Sequence, residues 1–120
     1  RGFATMVRER TDAVIILPDG LLVQQRTQIA GLAVKHRLPS INPFTAYAES
    51  GGLMSYGVDM NDNFRRVGIF VEKILKGAKP GEIPFEQPTR YYFVINRKTE
   101  KALGITIPQS VLLRADRVIE

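Results

Sequence analysis

The chain has one histidine and no cysteine, which narrows the available chemistry at once. His36 sits late in a helical pattern, between Lys35 and Arg37. It could be a general base, but a cation complementing a helix C-terminus is the plainer reading and the preferred one. A zinc site would need carboxylates to complete its ligand set, and no such spacing exists. Ser55 lies in Gly51-Gly52-Leu53-Met54-Ser55-Tyr56-Gly57. A nucleophile elbow needs glycine two residues before and two after the serine; Gly57 fits and Leu53 does not. The nearest thing to a phosphate loop is Pro18-Asp19-Gly20. It lacks the lysine and the second glycine, and its carboxylate would repel an anion. Asp59 and Asp62 read as caps at a helix start, not as an acid and base pair. Neither an enzyme nor a cofactor is expected.

The elements that would position these residues follow from the apolar pattern. Phe3, Met6 and Val7 share one helical face. Ala13-Val14-Ile15-Ile16-Leu17 is a short β-branched run, the signature of a strand buried on both faces of a parallel sheet. It stops at Pro18-Asp19-Gly20. The spacing predicts a helix over Leu22 to Arg37, stopped by Pro39, and then a strand Ser40-Ile41-Asn42. This is a βαβ unit with a right-handed crossover. Thr45 to Ser50 reads as one or two helical turns, with Thr45 as cap and Gly51 as stop, and Gly52 to Asp59 as extended. The clearest helix runs to Lys76, with Phe64, Val67, Gly68, Val71, Ile74 and Leu75 on one stripe, Asn61 or Asp59 as cap and Gly77 as stop. Ala78 to Pro88 holds Pro80, Gly81, Pro84 and Pro88 and has no period. Tyr91 to Ile95 is another buried strand. Asn96 caps a short helix ended by Gly104, and the tail from Gln109 is a short helix or an edge segment.

At 120 residues, with 44% hydrophobic and 24% charged side chains, the chain has the size and balance of one ordinary domain. No apolar run approaches the roughly 20 residues that span a bilayer. The net charge is +5, but the basic residues are dispersed, Arg65-Arg66 being the densest cluster. Nothing resembles a recognition helix or a base-stacking platform, so nucleic acid is not an expected partner.

The fold class is therefore α/β, a mostly parallel sheet with flanking helices. In such sheets ligands sit outside the carboxyl ends of the strands. Those ends are Pro18-Asp19-Gly20, Asn42-Pro43-Phe44 and Asn96. Asp19 would suit a ligand ammonium, and capping the following helix is an equally weighted role for it. Phe44 and Tyr56 could form apolar walls.

Several stretches together resemble one family. They are Gly52-Leu53-Met54-Ser55-Tyr56-Gly57; Ile74-Leu75-Lys76-Gly77-Ala78-Lys79-Pro80; Ile83-Pro84-Phe85-Glu86-Gln87-Pro88-Thr89; Phe93-Val94-Ile95-Asn96; Lys98-Thr99; Lys101-Ala102-Leu103-Gly104-Ile105-Thr106-Ile107-Pro108; and Leu113-Arg114-Ala115-Asp116. The chain resembles the C-terminal part of ABC transporter substrate-binding proteins of the tryptophan/aromatic-amino-acid type. The resemblance implies a two-lobed type I periplasmic-binding-protein fold with ligand held between the lobes. Residues 1–52 would be a βαβ part of the second lobe, and 53–77 a crossing strand and helix belonging to the first. Residues 78–90 would be a hinge connection and 91–120 the return to the second lobe. Gly57, Pro84 and Pro88 are the implied hinge positions. Ligand would be met by Asp19 and Gly20, by Asn42 and Phe44 on geometry, and by Ser55, Tyr56 and Asp59 on the crossing segment. Relatives that bind aromatic amino acids often carry Thr-Asp-Asn where this chain has Pro18-Asp19-Gly20.

The implied function is capture of a small solute, an amino acid or an aromatic compound, and its delivery to the permease subunits of an ABC importer. The implied location is the periplasm, with a signal peptide in a missing N-terminal part. The alternative is a ligand-sensing domain of a signalling receptor with the same fold. A small hydrolase using Ser55 is a third and weaker alternative. The chain is expected to self-associate as a dimer through Phe64, Val67, Val71, Ile74 and Leu75, since this stripe would lack its cover from the first lobe.

Overall fold

The computed structural model describes residues 2–120. In chain order it contains α1 (Gly2–Arg8), β1 (Val14–Ile15), α2 (Gly20–Gln24), α3 (Arg26–Lys35), β2 (Ser40–Asn42), α4 (Thr45–Glu49) and β3 (Met54–Val58). Then come α5 (Met60–Leu75), a 3₁₀ turn (Pro80–Glu82), β4 (Tyr91–Asn96), α6 (Arg97–Leu103), α7 (Gln109–Leu112) and β5 (Arg117–Ile119). The five strands form one sheet in sequential order, β1 to β5. β1 with β2, β2 with β3, and β4 with β5 are parallel. β3 and β4 run antiparallel, because the Asn96 amide donates to Leu53 O while the Asp59 amide donates to Arg90 O. The sheet is therefore mixed, with one antiparallel step in an otherwise parallel array.

The chain divides into two compact units. One holds the residues up to Gly57 together with Tyr92–Glu120; the other is Val58–Tyr91. The first contains the core. One cluster is Leu53, Ile95, Leu103 and Ile107, flanked by Phe93, Val111 and Leu112. The second is Ile16, Ala30 and Tyr47, flanked by Val14, Leu22 and Ile29. Tyr47 is wholly buried and its hydroxyl shares a 2.6 Å hydrogen bond with Ser40 Oγ. Burial is the main cause that pushes this phenol above its ordinary pKa, against the lowering effect of the Ser40 bond. The ring lies against Gly52, where a Cβ would come within 2.1 Å of Tyr47 Cε1.

Three expectations need correction. The helix predicted over Leu22 to Arg37 is two helices, α2 and α3, broken at Gln25. Asp19 caps the first, which starts two residues early at Gly20, and Arg26 turns back to bond Val23 O and Ser50 Oγ. β1 is not buried on both faces. It is an outer strand, its Ile16 side packed on α3 and α4 while Ile15 and Leu17 are 74% and 68% exposed. Thr45 does not cap α4; Phe44 holds that position, without a side-chain bond.

Val58–Tyr91 is built differently. Asp59 caps α5 through Oδ1, which accepts from the amides of Asn61 and Asp62 at 3.0 and 3.2 Å. Its Oδ2 lies 3.4 Å from Arg90 Nε. Gly77, at φ 105°, ends the helix in a conformation few other residues adopt. Arg66 pairs with Glu86. No residue of this unit is buried. Among the described residues, no helix is long and apolar enough to cross a membrane.

Candidate functional site

Two loops at the carboxyl ends of β1 and β2 shape the site, and each is set by one polar side chain. Asp19, in extended conformation, caps α2 with Oδ1, which accepts from Leu21 N at 2.9 Å and Leu22 N at 3.3 Å. Both bonds fall on one oxygen, so Oδ2 is left for solvent or ligand. At the end of β2, Asn42 is buried and engaged at both ends. Its Nδ2 donates to Ile16 O at 3.2 Å, and its Oδ1 accepts from Phe44 N at 2.8 Å. Asn42 thereby ties the end of β2 to β1 and fixes the turn that presents Phe44.

These loops enclose a groove of about 460 Å³ lined by Pro18, Asp19, Gly20, Val23, Gln24 and Phe44. Three of the sequence-predicted residues, Asp19, Gly20 and Phe44, therefore meet in one place. Among the described residues, Asp19 is the only charge on the groove wall. The nearby guanidinium of Arg26 is held by Val23 O and Ser50 Oγ. The groove is therefore suited to a cationic group beside an apolar one. Next to it, sharing Pro18, is an apolar depression of about 320 Å³ walled by Leu17, Ile41, Pro43 and Tyr56, with Asn42 in its lining. Tyr56 is half exposed and sets its ring edge against Phe93, 5.9 Å between centroids.

The remaining predicted residues lie elsewhere. Side chains alternate along a strand, so Ser55 and Tyr56 point to opposite faces of β3. Ser55 is wholly buried, and its hydroxyl has no hydrogen-bond partner among the described residues. Gly57 is buried against Pro43, and a Cβ there would lie 2.2 Å from the Pro43 carbonyl oxygen. Asp59 is occupied by its cap and by Arg90. Pro84 lies in an exposed extended stretch. Pro88 lines a small cleft of about 50 Å³ with Asn63, Arg66, Val67, Phe70, Glu86 and Gln87. His36 stacks on Phe3 at 5.9 Å.

Sequence reasoning missed Val23 and Gln24, and it placed Pro43 only in the turn after β2. Val23 could have been found one helical turn beyond Asp19, had α2 been started at its cap. It also missed Glu100, a buried carboxylate that accepts from Ile107 N at 2.7 Å and Arg97 Nε at 3.1 Å. The Ile107 amide, more than Arg97 and Lys101, holds its pKa below the ordinary carboxylate value, against the opposing effect of burial.

A sequence model described as ABC transporter substrate binding protein matches residues 3–119. Among solved structures, a conserved domain protein from Vibrio cholerae O1 biovar El Tor is 28% identical, with a TM-score of 0.87. The match covers 97% of this chain and 39% of that one. An ABC domain from Streptococcus pneumoniae, solved in complex with L-Trp, is 33% identical with a TM-score of 0.84, over 96% of this chain and 39% of that one. A ligand-free, open substrate binding protein with adhesive properties from Clostridium difficile shares the fold, at 21% identity and a TM-score of 0.71, over 98% and 39% of the two chains. The chain thus spans about 39% of the length of the solved structures it matches. No curated protein sequence matches it.

Proposed function

The chain belongs to the ABC transporter substrate-binding protein family, and from that premise we propose that it supplies part of a solute-binding protein of an ABC importer. It forms one wall of a two-lobed cleft that closes on a small solute, which is then delivered to a membrane permease. The protein acts in the periplasm and performs no chemistry on its ligand. The observation that carries this reading is the groove at the carboxyl ends of β1 and β2, where one carboxylate and one aromatic ring converge. Asp19 Oδ2 takes the ammonium of an amino acid, and Phe44 packs on its apolar part. The S. pneumoniae relative was solved with L-Trp, which makes an aromatic amino acid the first ligand to test. Tyr56 extends the apolar wall through the neighbouring depression. Gly57, where the chain leaves the first compact unit, serves with Pro84 and Pro88 as the hinge that lets the lobes close.

Calorimetry with L-Trp and other amino acids on the full-length protein tests this. Asp19→Asn keeps a capping oxygen and removes the charge. It should weaken amino-acid binding at least tenfold while leaving thermal stability nearly unchanged. Phe44→Ala should weaken aromatic ligands most. Unchanged affinity in both variants would reject the groove as the ligand wall.

A further inference from the structure

Phe44, the aromatic wall of the groove, stands at the cap position of α4 and makes no side-chain capping bond there. Its placement depends on how α4 is held. α4 has five residues, far too few to persist as a helix on its own. Its near end is fixed by Asn42, whose Oδ1 accepts from Phe44 N. The last carbonyls of a helix find no partner inside it, and here two side chains from the segment that resumes at Tyr92 reach this end of α4. Asn96 Nδ2 donates to Ala48 O, and Thr99 Oγ1 to Gly51 O, both at 2.9 Å. Asn96 is buried and engaged at both ends of its side chain. Its Oδ1 accepts from Thr99 N at 3.2 Å to cap α6, and its backbone amide donates to Leu53 O at 2.8 Å. β4 runs antiparallel to β3, so Asn96 stands beside the start of β3, at the opposite end of the sheet from the groove. It reaches the groove through α4: Ala48 lies one helical turn from Phe44, about 6 Å along the axis.

We propose that Asn96 is a positioning residue for the ligand wall. It holds Ala48, and the single turn from Ala48 back to Phe44 carries that hold to the ring. The effect on ligand rests on the reading of the groove given above; the hold on α4 does not. Tyr47 anchors the middle of α4 in the core, and Asn96 stops the helix from turning about that anchor. Both halves of the amide are needed. The oxygen caps α6 while the NH₂ group holds α4; an aspartate has acceptors only and would set one against the Ala48 carbonyl. Without the Asn96 donor, Ala48 O keeps only the longer bond from Gly51 N, at 3.2 Å. The Glu49–Arg117 pair, at 2.7 Å, also ties this end of α4, but both side chains are about half exposed, where an ion pair contributes little. The buried bond therefore dominates.

Two variants cut the tie to α4 and keep the cap of α6. Asn96→Asp retains the capping oxygen without the donor, and Asn96→Ser caps with a neutral hydroxyl too short to reach Ala48. Residue-resolved hydrogen exchange on the full-length protein reads the hold directly. In both variants the amides of Phe44 and Tyr47 should exchange about tenfold faster. Glu100→Gln is the control, a buried change in α6 at a side chain bonded to Ile107 and Arg97. It should leave those two amides at their parental rates. Calorimetry then reads the consequence for ligand. Asn96→Ser should weaken L-Trp by about fivefold and L-Leu by less. With Phe44→Ala already present, the same change should add less than about twofold, because the ring that Asn96 places is gone. Three outcomes would overturn the proposal: parental exchange at Phe44 and Tyr47 in both Asn96 variants, equal acceleration in Glu100→Gln, or losses of L-Trp affinity that multiply independently. If Phe44→Ala by itself leaves L-Trp affinity unchanged, the ligand reading fails, and the exchange rates still decide whether Asn96 holds the turn.

Discussion

Replacing Gly57 by alanine should destabilise the protein, although its backbone conformation says otherwise. Gly57 is not among the residues with positive φ. At an ordinary φ, alanine in place of glycine usually stabilises by about 0.4–1 kcal/mol, because it restricts the unfolded chain. The local packing reverses the sign. A Cβ on Gly57 would stand 2.2 Å from the Pro43 carbonyl oxygen and 2.9 Å from the Pro43 carbonyl carbon and Cβ. Heavy atoms settle at about 3.5–4 Å, so β3 and the Pro43 turn must part by more than an ångström. The obstacle is backbone and a proline ring, and neither can swing aside as a flexible side chain would. Overpacking of this kind costs about 1–3 kcal/mol. Even after the unfolded-state gain, a net loss of about 1–2 kcal/mol is expected. With a urea slope of about 1–3 kcal/mol per molar, the midpoint should fall by roughly 0.3–2 M. Gly31→Ala is the control. Gly31 lies in α3 with nothing within 4 Å of the built Cβ, so it should raise the midpoint. A Gly57→Ala midpoint equal to or above that of the parent would refute the reasoning. Pro43 lines the apolar depression and precedes Phe44, so the same variant should also weaken ligand in the full-length protein.

Gly52→Ala drives a methyl into the Tyr47 ring, whose hydroxyl is pinned to Ser40. Denaturant titration should show a loss of about 2–4 kcal/mol, and the added truncation Tyr47→Ala should cost less in that background than alone. Glu100 has its folded-state pKa lowered, first by the Ile107 amide. Its contribution is therefore complete above the ordinary carboxylate range and disappears as pH falls through the lowered value. Glu100→Gln should be less stable than the parent by about 1–3 kcal/mol near neutrality, and the gap should close on acidification below the ordinary carboxylate range; a gap that widens would contradict this sign. Asp19→Ala, unlike Asp19→Asn, removes the α2 cap and should lower thermal stability by the equivalent of about 1 kcal/mol.

The helices were the most legible part of the fold. α5 and α6 carry their stops and caps in local residue types: Asp59 and Gly77 for one, Asn96 and Gly104 for the other. The break at Gln25 was not legible, because it rests on Arg26 reaching Ser50, 24 residues away. The antiparallel pairing of β3 and β4 was hidden for a similar reason. Strand direction is set by where the chain returns, and a buried strand such as Val94-Ile95 has the same composition either way. The strong β-branched run of β1 describes a strand that can be covered on both sides; it does not say whether cover is present. At the site, the rule that ligands sit at the carboxyl ends of strands brought Asp19, Gly20 and Phe44 to one groove. It could not separate Ser55 from Tyr56. That needed the register of β3, which sends one into the interior and the other towards solvent.

The antiparallel return of β4 beside β3 also bears on folding speed and on how the domain can be simplified. Everything from Val58 to Tyr91 is a detour between two neighbouring strands. Closing a detour of about 34 residues, compared with one of about four, costs roughly three doublings of loop length, or about 2 kcal/mol of chain entropy. Each core cluster draws on one side of that detour or spans it: Ile16, Ala30 and Tyr47 lie before it, while Leu53 must find Ile95, Leu103 and Ile107 across it. The first closes through steps of 14 and 17 residues, from Ile16 to Ala30 and from Ala30 to Tyr47, and the second waits on the longer closure. Cutting the detour out and joining Gly57 to Tyr92 through a tight turn would turn β3 and β4 into a plain hairpin. The shortened chain should refold faster and keep the Asp19 groove.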